Sequence, residues 1–374
     1  MTLDGEGLNA IDLFCGAGGL SLGLQKAGFR VRGAVDGWEV AAKTYRTNFT
    51  HPCLHTDIRQ LPADELLHVL GVQPGTIDLI AGGPPCQGFS IQRIGGDEDD
   101  RNDLIFEYGR IVREIRPRMF LMENVPGLLG KRGRQAVESF TRLMRAAGYG
   151  LTHTIINAAG YGVPQMRRRV FFIGWLQREL PPFHFPSPPL TPDGYRTVRN
   201  ALDGLPAVPS DFSPPPNDPL HRRMRMSEMN QERLRLIPPG GGFESLPPEM
   251  RVNCHKEGAA RIGHRYVYGR LALDEPAGTI TARFDSFTRG KFAHPVEHRN
   301  ITLREGARLQ TFPDDFRFQG SSQEEIAALI GNAVPPLLAE SLGRAIANHL
   351  RQPPRTVTET AEASAADQLV LFDA

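Results

Sequence analysis

The sequence predicts an α/β fold in which a largely parallel sheet, wound from successive βαβ units, leads into a loop-rich second unit and then into returning helices. Three observations predict it. From Ala10 to Trp175 short apolar runs alternate with helical patterns, the rhythm that βαβ units impose. Pro181 to Pro219 is then rich in proline and poor in helical periodicity, so a sheet cannot continue through it. Helix signals resume at Thr302–Leu309, Gln323–Ile330 and Pro335–Leu350.

Taken in order, Ala10–Phe14 reads as a strand entering a glycine-rich turn, and Leu20–Ala27 as the helix that follows, stopped by Gly28. Phe29–Asp36 is the second strand and Glu39–Asn48 a helix; a third strand precedes Asp57-Ile58, and Ile77–Gly82 is the next. Leu104–Ile115 is helical, with Pro117 compatible with its end, and Met119–Glu123 is an apolar strand closing on a carboxylate. Thr152–Asn157 and Arg169–Trp175 complete this half. Between a boundary near residue 180 and about His298 the chain is rich in Pro, Gly and Arg, with short β-like runs such as Thr279–Phe284. The end of the chain, rich in Thr, Ala and Glu, reads as a flexible tail. Sheets of this kind place ligands at the carboxyl ends of their strands, where glycines and charged residues accumulate here.

A chain of 374 residues exceeds one ordinary core of ~100 to 200 residues, so two domains, or one with an insertion, are expected. With 40% apolar and 23% charged residues it is neither disordered nor fibrous. No uninterrupted apolar run of ~18 residues is present, and Met1–Asn9 lacks an apolar core, so the expectation is a soluble, non-secreted, cytoplasmic protein with no membrane partner. Cys15, Cys53, Cys86 and Cys254 are widely spaced, which excludes a disulfide scaffold and predicts no metal site. The net charge of +1 conceals an asymmetry. Tyr161–Asn300 holds 20 Lys and Arg against 14 Asp and Glu, a net of +6, leaving −5 elsewhere.

Asp12–Leu20 (DLFCGAGGL) follows a strand and opens a helix, where glycines let backbone approach a ligand closely. Asp36, at the end of the second strand, can accept hydrogen bonds from two ribose hydroxyls, and Asp57-Ile58 can meet an adenine amino group and face. No basic group is placed for a pyrophosphate, so an adenosyl ligand suits these residues better than a dinucleotide. Gly83-Pro84-Pro85-Cys86 presents a thiol on a rigid turn just past a buried strand, as a nucleophile requires. Glu123 ends the next strand on the same rim, where partial desolvation suits it to carry a proton. In Gln165–Arg169, alternation lets Arg167 and Arg169 converge while Arg168 turns away.

These residues resemble the C5-specific DNA cytosine methyltransferases. The matching motifs, in the family's usual order, are DLFCGAGGL (Asp12–Leu20), GPPCQGFS (Gly83–Ser90), ENV (Glu123–Val125), QMRRR (Gln165–Arg169), REGARLQTFPDDF (Arg304–Phe316) and GNAVPP (Gly331–Pro336). The resemblance covers Ala10 to about Ile346 and implies a Rossmann-like S-adenosylmethionine-dependent methyltransferase domain, with a smaller loop-rich target-recognition domain inserted before the C-terminal helices. The implied divisions are 1–178 and 299–350 for the catalytic domain, 179–298 for target recognition and 351–374 for the tail. Carried over by motif, Cys86 attacks cytosine C6, Glu123 holds or donates the proton at N3 with Asn124 bracing the loop, and Arg169, helped by Arg167, binds O2, with Gln165 in support. Phe14, Gly16, Gly18 and Leu20 would lie along the cofactor, Asp36 on its ribose and Asp57 and Ile58 at its adenine, with Asn332 and Val334 closing the other side. The family often has Glu followed by a bulky residue at the ribose position; here Asp36 is followed by Gly37, then Trp38, so the side chain that covers adenine is left open.

The resemblance further implies duplex DNA as substrate and a target cytosine flipped from the stack, since no pocket can reach C6 inside a helix. The segment 91–102 reads as a loop that closes over the base, with Gln92 or Arg93 entering the vacated stack. Thr279-Ile280 resembles the dipeptide that positions the recognition domain, and Arg261, Arg265, Arg270, Arg283, Arg289 and Lys291 are candidates for phosphate or guanine contacts. Gln368-Leu369-Val370-Leu371-Phe372 resembles the peptide by which bacterial proteins dock on the sliding clamp. The reading is a bacterial restriction-modification or orphan enzyme, nucleoid-associated, with a cognate endonuclease as a possible partner. A tRNA methyltransferase of the same family is the alternative inside it, disfavoured by the long recognition segment. A silent DNA-binding relative is disfavoured by the presence of Cys86, Glu123, Arg167 and Arg169, and a nicotinamide dehydrogenase would explain only the glycine turn.

Overall fold

A computed structural model describes residues 7–85, 104–251 and 267–353. Cys86, Gln92, Arg93, Arg261, Arg265, the 91–102 loop and the Gln368–Phe372 segment lie outside the described residues. Among the described residues the centre is a seven-stranded sheet of order β3-β2-β1-β4-β5-β8-β6. The strands are β1 (Asn9–Leu13), β2 (Arg30–Asp36), β3 (Cys53–His55), β4 (Leu79–Gly82), β5 (Met119–Asn124), β6 (Tyr149–Asn157) and β8 (Arg168–Leu176). The first five run parallel, whereas β8 pairs antiparallel with both β5 and β6, so the sheet is mixed.

Strand alternation sorts the side chains into two layers. Ile11, Leu13, Ile80, Phe120, Met122 and Phe172 face one apolar cluster, shared with helices α3 (Ala63–Val69), α4 (Leu104–Ile115) and α5 (Arg134–Ala146). Ala10, Leu79, Ala81, Leu121, Phe171 and Ile173 face the opposite cluster, covered by α1 (Gly19–Lys26) and by α10 (Pro336–Leu350) at the end of the described chain. A β-carbon on Gly23 would stand 2.4 Å from Ala339 Cβ, so α1 and α10 touch nearly backbone to backbone. Leu338, Leu342 and Ile346 are buried on that face, each contributing about 1.5–3 kcal/mol. Helices α3 and α5 were not foreseen: α3 is short, and α5 has Gly133 at its N-cap with no side-chain cap to announce it.

Past Leu176 no strand joins the main sheet among the described residues. The expected β-like run Thr279–Phe284 is not a strand. β10 stops at Ala277–Gly278, pairing with β7 (Gln165–Met166), and the chain then turns, with Phe284 N–H donating to the Thr281 carbonyl. Its apolar residues Ile280 and Phe284 are buried at a turn's spacing, not by alternation. The segment also lacks a single separate core. Val198, Leu220, Leu271, Ile280, Phe284 and Ile301 share one cluster with Ala17 and Tyr45 of the sheet-bearing half and with α8 (Leu303–Leu309) and α9 (Gln323–Asn332). Only Leu234, Ile237, Phe243, Leu246, Val267, Tyr268, Phe287 and Ala293 form a cluster of their own, partly carried by α7 (Glu228–Leu236).

Arginines stitch these loops. The Arg299 guanidinium grips Glu305 through two 2.8 Å bonds, and Glu305 closes a capping box with Thr302. Arg304 pairs with Asp218 at 2.6 and 3.1 Å. Burial of such pairs is tolerated because each charge meets a hydrogen-bonded partner of opposite sign.

Candidate active site

Five parallel strands end along one edge, and the order reverses between β1 and β4, the place where open sheets bind ligands. A cavity of about 710 Å³ lies there. It gathers Phe14, Gly16, Leu20, Asp36, Asp57, Ile58, Asn332 and Val334 with Glu123, Arg167 and Arg169, and with Pro84 and Pro85, the two residues before Cys86. Segments that are hundreds of residues apart in sequence thus share one wall.

The glycine turn supplies its floor. Phe14 and Gly16 have positive φ (58° and 55°), and Gly18, at φ 95°, is the N-cap of α1. A β-carbon on Gly18 would press into Phe49 at 2.4 Å and Tyr45 at 3.0 Å, so only glycine fits. Gly18 itself does not border the cavity; it sets the turn that does. A β-carbon on Gly19 would stand 2.3 Å from the Val334 carbonyl, which brings the start of α10 against the turn. The Asp36 carboxylate accepts from Gly16 N–H and Trp38 N–H, both at 2.8 Å, and ties β2 to the turn. Burial raises its pKa, while those two N–H donors oppose the rise.

At the adenine end expected from sequence, Ile58 is buried and Asp57 is held by Arg59, whose Nε lies 3.0 Å from both carboxylate oxygens and whose Nη2 lies 2.6 Å from Oδ2. That hydrogen bonding lowers the Asp57 pKa. Trp38 also borders the cavity and leaves 36% of its surface exposed.

On the opposite wall, Glu123 Oε1 pairs with Arg169 Nε at 3.0 Å, both side chains being largely buried. Asn124 Nδ2 donates to the Pro84 carbonyl at 3.0 Å, fastening the end of β5 to the Gly83-Pro84-Pro85 turn. Arg167 and Arg169 both reach the cavity while Arg168 is exposed. The two arginines differ in use. Arg167 is 1% exposed, and its Nη1 donates to the carbonyls of Ile280 and Gly331, both at 3.0 Å. Burial pushes its pKa well below the ordinary arginine value, and the neighbouring Arg169 adds to this. Gln165 is wholly buried, donating to Leu309 O and Gln310 Oε1 and accepting from Ile280 N–H. Thr279 Oγ1 donates to Met166 O, so the Thr279-Ile280 dipeptide is sewn directly to the arginine motif.

The expected DNA contacts separate. Arg270 is a correction: it is 4% exposed, and its guanidinium donates to Leu234 O and pairs with His298 Nδ1, both at 2.8 Å, so it braces the loops from inside. Arg283 is ion-paired to Asp285 and Glu324 and stays partly exposed. Arg289 is exposed and Lys291 half-buried.

Sequence reasoning gave no role to Asp12, which also borders the cavity and is 1% exposed; its Oδ1 has no hydrogen-bond partner. A carboxylate inside an otherwise apolar strand was the available signal. Arg59, Thr56 and Leu104 border the cavity too, with no sequence signal to single them out.

The donor set suits an adenosyl cofactor bearing positive charge: a carboxylate held by two backbone N–H groups at the end of β2, apolar Ile58 and Trp38, and in β1 a buried acid with one oxygen left unpartnered. Comparison with known proteins agrees. The family described as C-5 cytosine-specific DNA methylase matches residues 8–348. The chain is 33% identical over 350 residues to the Type II methylase M.HgiDII of Herpetosiphon aurantiacus, covering 91% of this chain and 94% of that one. It is 35% identical over 347 residues to the Type II methyltransferase M1.HphI of Haemophilus parahaemolyticus, covering 91% and 86%. Among solved structures, an E. coli prophage-encoded protein described as a DNA modification methyltransferase superposes with a TM-score of 0.72 at 28% identity, over 92% of this chain and 100% of that one. A Spodoptera frugiperda DNMT2 variant shares the fold at a TM-score of 0.62 and 17% identity, over 91% and 99%.

Proposed function

Because the chain belongs to the C-5 cytosine-specific DNA methylase family, it is a DNA (cytosine-5)-methyltransferase that uses S-adenosylmethionine and acts on a flipped cytosine, and we propose that the cavity at the sheet edge is where both meet. One observation carries this reading: cofactor-type residues of the glycine turn and the Glu123–Arg169 pair border the same 710 Å³ space as the turn leading to Cys86.

In this reading the Cys86 thiolate attacks C6, and the developing charge on the ring is met at N3 by a proton held at Glu123 and at O2 by Arg169. The 3.0 Å ion pair orients both groups before substrate arrives, which supports their shared role. Attack makes C5 an enamine carbon. The cofactor, when bound, supplies an electrophilic methyl group on a cationic sulfur. Loss of the C5 proton and departure of the thiol restore the aromatic ring, and cysteine suits both ends because it attacks and leaves readily. Arg167, whose Nη1 holds the Ile280 and Gly331 carbonyls, ties the recognition segment to the arginine motif and helps Arg169 from the same cavity wall. Asp36 takes the ribose, with Phe14, Gly16 and Leu20 along the cofactor, Gly18 shaping the turn beneath them, and Asn332 and Val334 closing the far side. Trp38 covers the adenine face in place of the missing neighbour of Asp36, and Asp57 and Ile58 meet its edge. Arg289, Arg283, Lys291, Arg261, Arg265, Gln92 and Arg93 are the proposed DNA contacts.

The enzyme works in a restriction-modification setting, as the names of its relatives suggest, with an endonuclease reading the same sequence on the bacterial nucleoid. Docking of Gln368–Phe372 on a sliding clamp is a separate proposal carried by that peptide alone; loss of clamp pull-down on deleting residues 366–374 tests it. The central test is label transfer from S-adenosylmethionine to duplex DNA and to tRNA, followed by bisulfite sequencing of an expressing host. Transfer to DNA is expected to vanish in Cys86→Ala; retained transfer there overturns the mechanism.

A further inference from the structure

Beneath the glycine turn runs a chain of buried polar groups that the methylation mechanism does not use. Ser21 Oγ donates to Asp12 Oδ2 at 2.6 Å, Ser21 Oγ and Tyr45 OH are 2.6 Å apart, and Tyr45 OH and His51 Nε2 are 2.7 Å apart. Ser21 and Tyr45 are wholly buried, and His51 is half-buried, so the chain leads from the cavity wall toward solvent. The turn lies directly on it, since a β-carbon on Gly18 would strike Tyr45.

We infer that Asp12, Ser21, Tyr45 and His51 form a proton relay that matches the charge of the Asp12 carboxyl to the charge of the ligand in the cavity, making Asp12 a residue that distinguishes the cationic methyl donor from its neutral-sulfur product. The step balances without a co-reactant. A neutral imidazole passes its Nε2 proton to Tyr45, Tyr45 passes its own to Ser21, Ser21 passes its own to Asp12 Oδ2, and Nδ1 of His51 takes one proton from water. Reversal delivers a proton to solvent. Two features of Asp12 support this use. Its Oδ1 is buried without a partner at the edge of the cavity, and a buried unpaired carboxylate is costly unless a cation joins it or a proton neutralises it. Burial pushes the Asp12 carboxyl up to about 7; the Ser21 hydrogen bonds oppose the rise and the Asp36 carboxylate adds to it. The ionisable groups that face it are Asp36 from β2, Cys15 in the turn, Tyr45 from α2 (Glu39–Asn48) and Tyr108 from α4, none of them a cation. Burial lowers the His51 pKa, which keeps its ring neutral, as the relay requires.

This inference rests on the reading that the cavity holds the cofactor, and the experiment separates the two. Titration calorimetry near pH 7 in buffers of different ionisation enthalpy counts the protons released when S-adenosylmethionine or S-adenosylhomocysteine binds the full chain. The methyl donor is expected to release about 0.3–0.5 proton more than the product, because a nearby cation lowers a carboxyl pKa that lies near the working pH. Asp12→Asn should abolish the difference. Tyr45→Phe keeps the ring and removes one link, so it should leave the equilibrium proton count in place and slow the release followed with a pH-indicator dye in stopped flow. Equal release by the two ligands, a difference that survives Asp12→Asn, or release that is not slowed in Tyr45→Phe overturns the relay. Trp38→Ala removes no charge and leaves Asp12, Ser21, Tyr45 and His51 in place: unchanged affinity in that variant sinks the cavity assignment, whereas weakened affinity without a proton difference sinks the relay alone.

Discussion

At the carboxyl edge of the sheet the backbone is held by its own ladders, from Asp36 paired beside His55 to Glu123 paired beside Phe171. Between residues 179 and 298 short strand pairs and scattered backbone bonds are supplemented by side chains. Arg233 donates to Met250 O, Arg251 to Leu246 O and Glu244 O, and Arg270 to Leu234 O, while Arg308 of α8 reaches Ala201 O and Asp203 O. Guanidinium groups there satisfy carbonyls that strands would otherwise satisfy. The contrast teaches how the labour is divided. On the proposed reading, carboxylates that need placing to within a fraction of an ångström sit on rigid strands, and the surface that would meet the target sequence is built from braced loops. It also bears on the charge asymmetry: arginines such as Arg270 and Arg299 are internal braces, so the excess of +6 in Tyr161–Asn300 overstates the charge free to meet DNA.

The largest effect expected lies at the sheet edge. Cys86→Ala should lower methyl transfer by at least about 10³-fold while thermal unfolding is unchanged, since a nucleophile contributes to the reaction and not to packing. Measurable transfer in that variant would break the assignment of chemistry to this edge. Next is the pH dependence from Asp12. Its carboxyl stands near 7 in the folded chain against an ordinary value of 3.8, so between those pH values the native state binds a proton that the unfolded state has lost. Stability contributed by this group therefore falls as pH rises from about 4 to 7, by up to about 4 kcal/mol. Urea unfolding of wild type and Asp12→Asn at both ends of that window should show the wild-type disadvantage growing with pH; parallel curves would refute it.

In the loop segment, Arg270→Ala should cost about 2–4 kcal/mol in unfolding free energy, because Leu234 O and its neighbours lose a buried donor. It should leave the salt dependence of DNA affinity unchanged. Arg289→Ala, the smallest in energy, should leave the unfolding midpoint alone and reduce the slope of log affinity against log salt by about 1. If the two variants exchanged these signatures, the distinction between brace and contact would be wrong. Fluorescence anisotropy with a duplex at several salt concentrations reads both.

Legibility followed the same division. The alternation of Ile11, Leu13, Ile80 and Phe120 against Ala10, Leu79 and Leu121 is local, so β1, β4 and β5 could be read within two residues of their ends. The antiparallel entry of β8 could not, because strand direction depends on where the chain re-enters the sheet and leaves no periodic trace. Thr279–Phe284 has β-rich composition, yet tertiary packing of Ile280 and Phe284 made it a turn. Arg270 was indistinguishable in sequence from Arg289, since burial of a guanidinium is decided by carbonyls brought from Leu234 and Val296.

By itself, then, the sequence determined the α/β class, the end of the main sheet near residue 180 and the motifs that mark the family, because each is set by short-range period, turn chemistry or residue type. Only the tertiary structure decided that Arg167 holds Ile280 and Gly331, that Arg270 lies inside, and that Asp12 joins Ser21, Tyr45 and His51 under the glycine turn. The physical reason is that burial and hydrogen-bond partnership belong to pairs of residues, and the pairs that matter most here lie 6 to 164 positions apart.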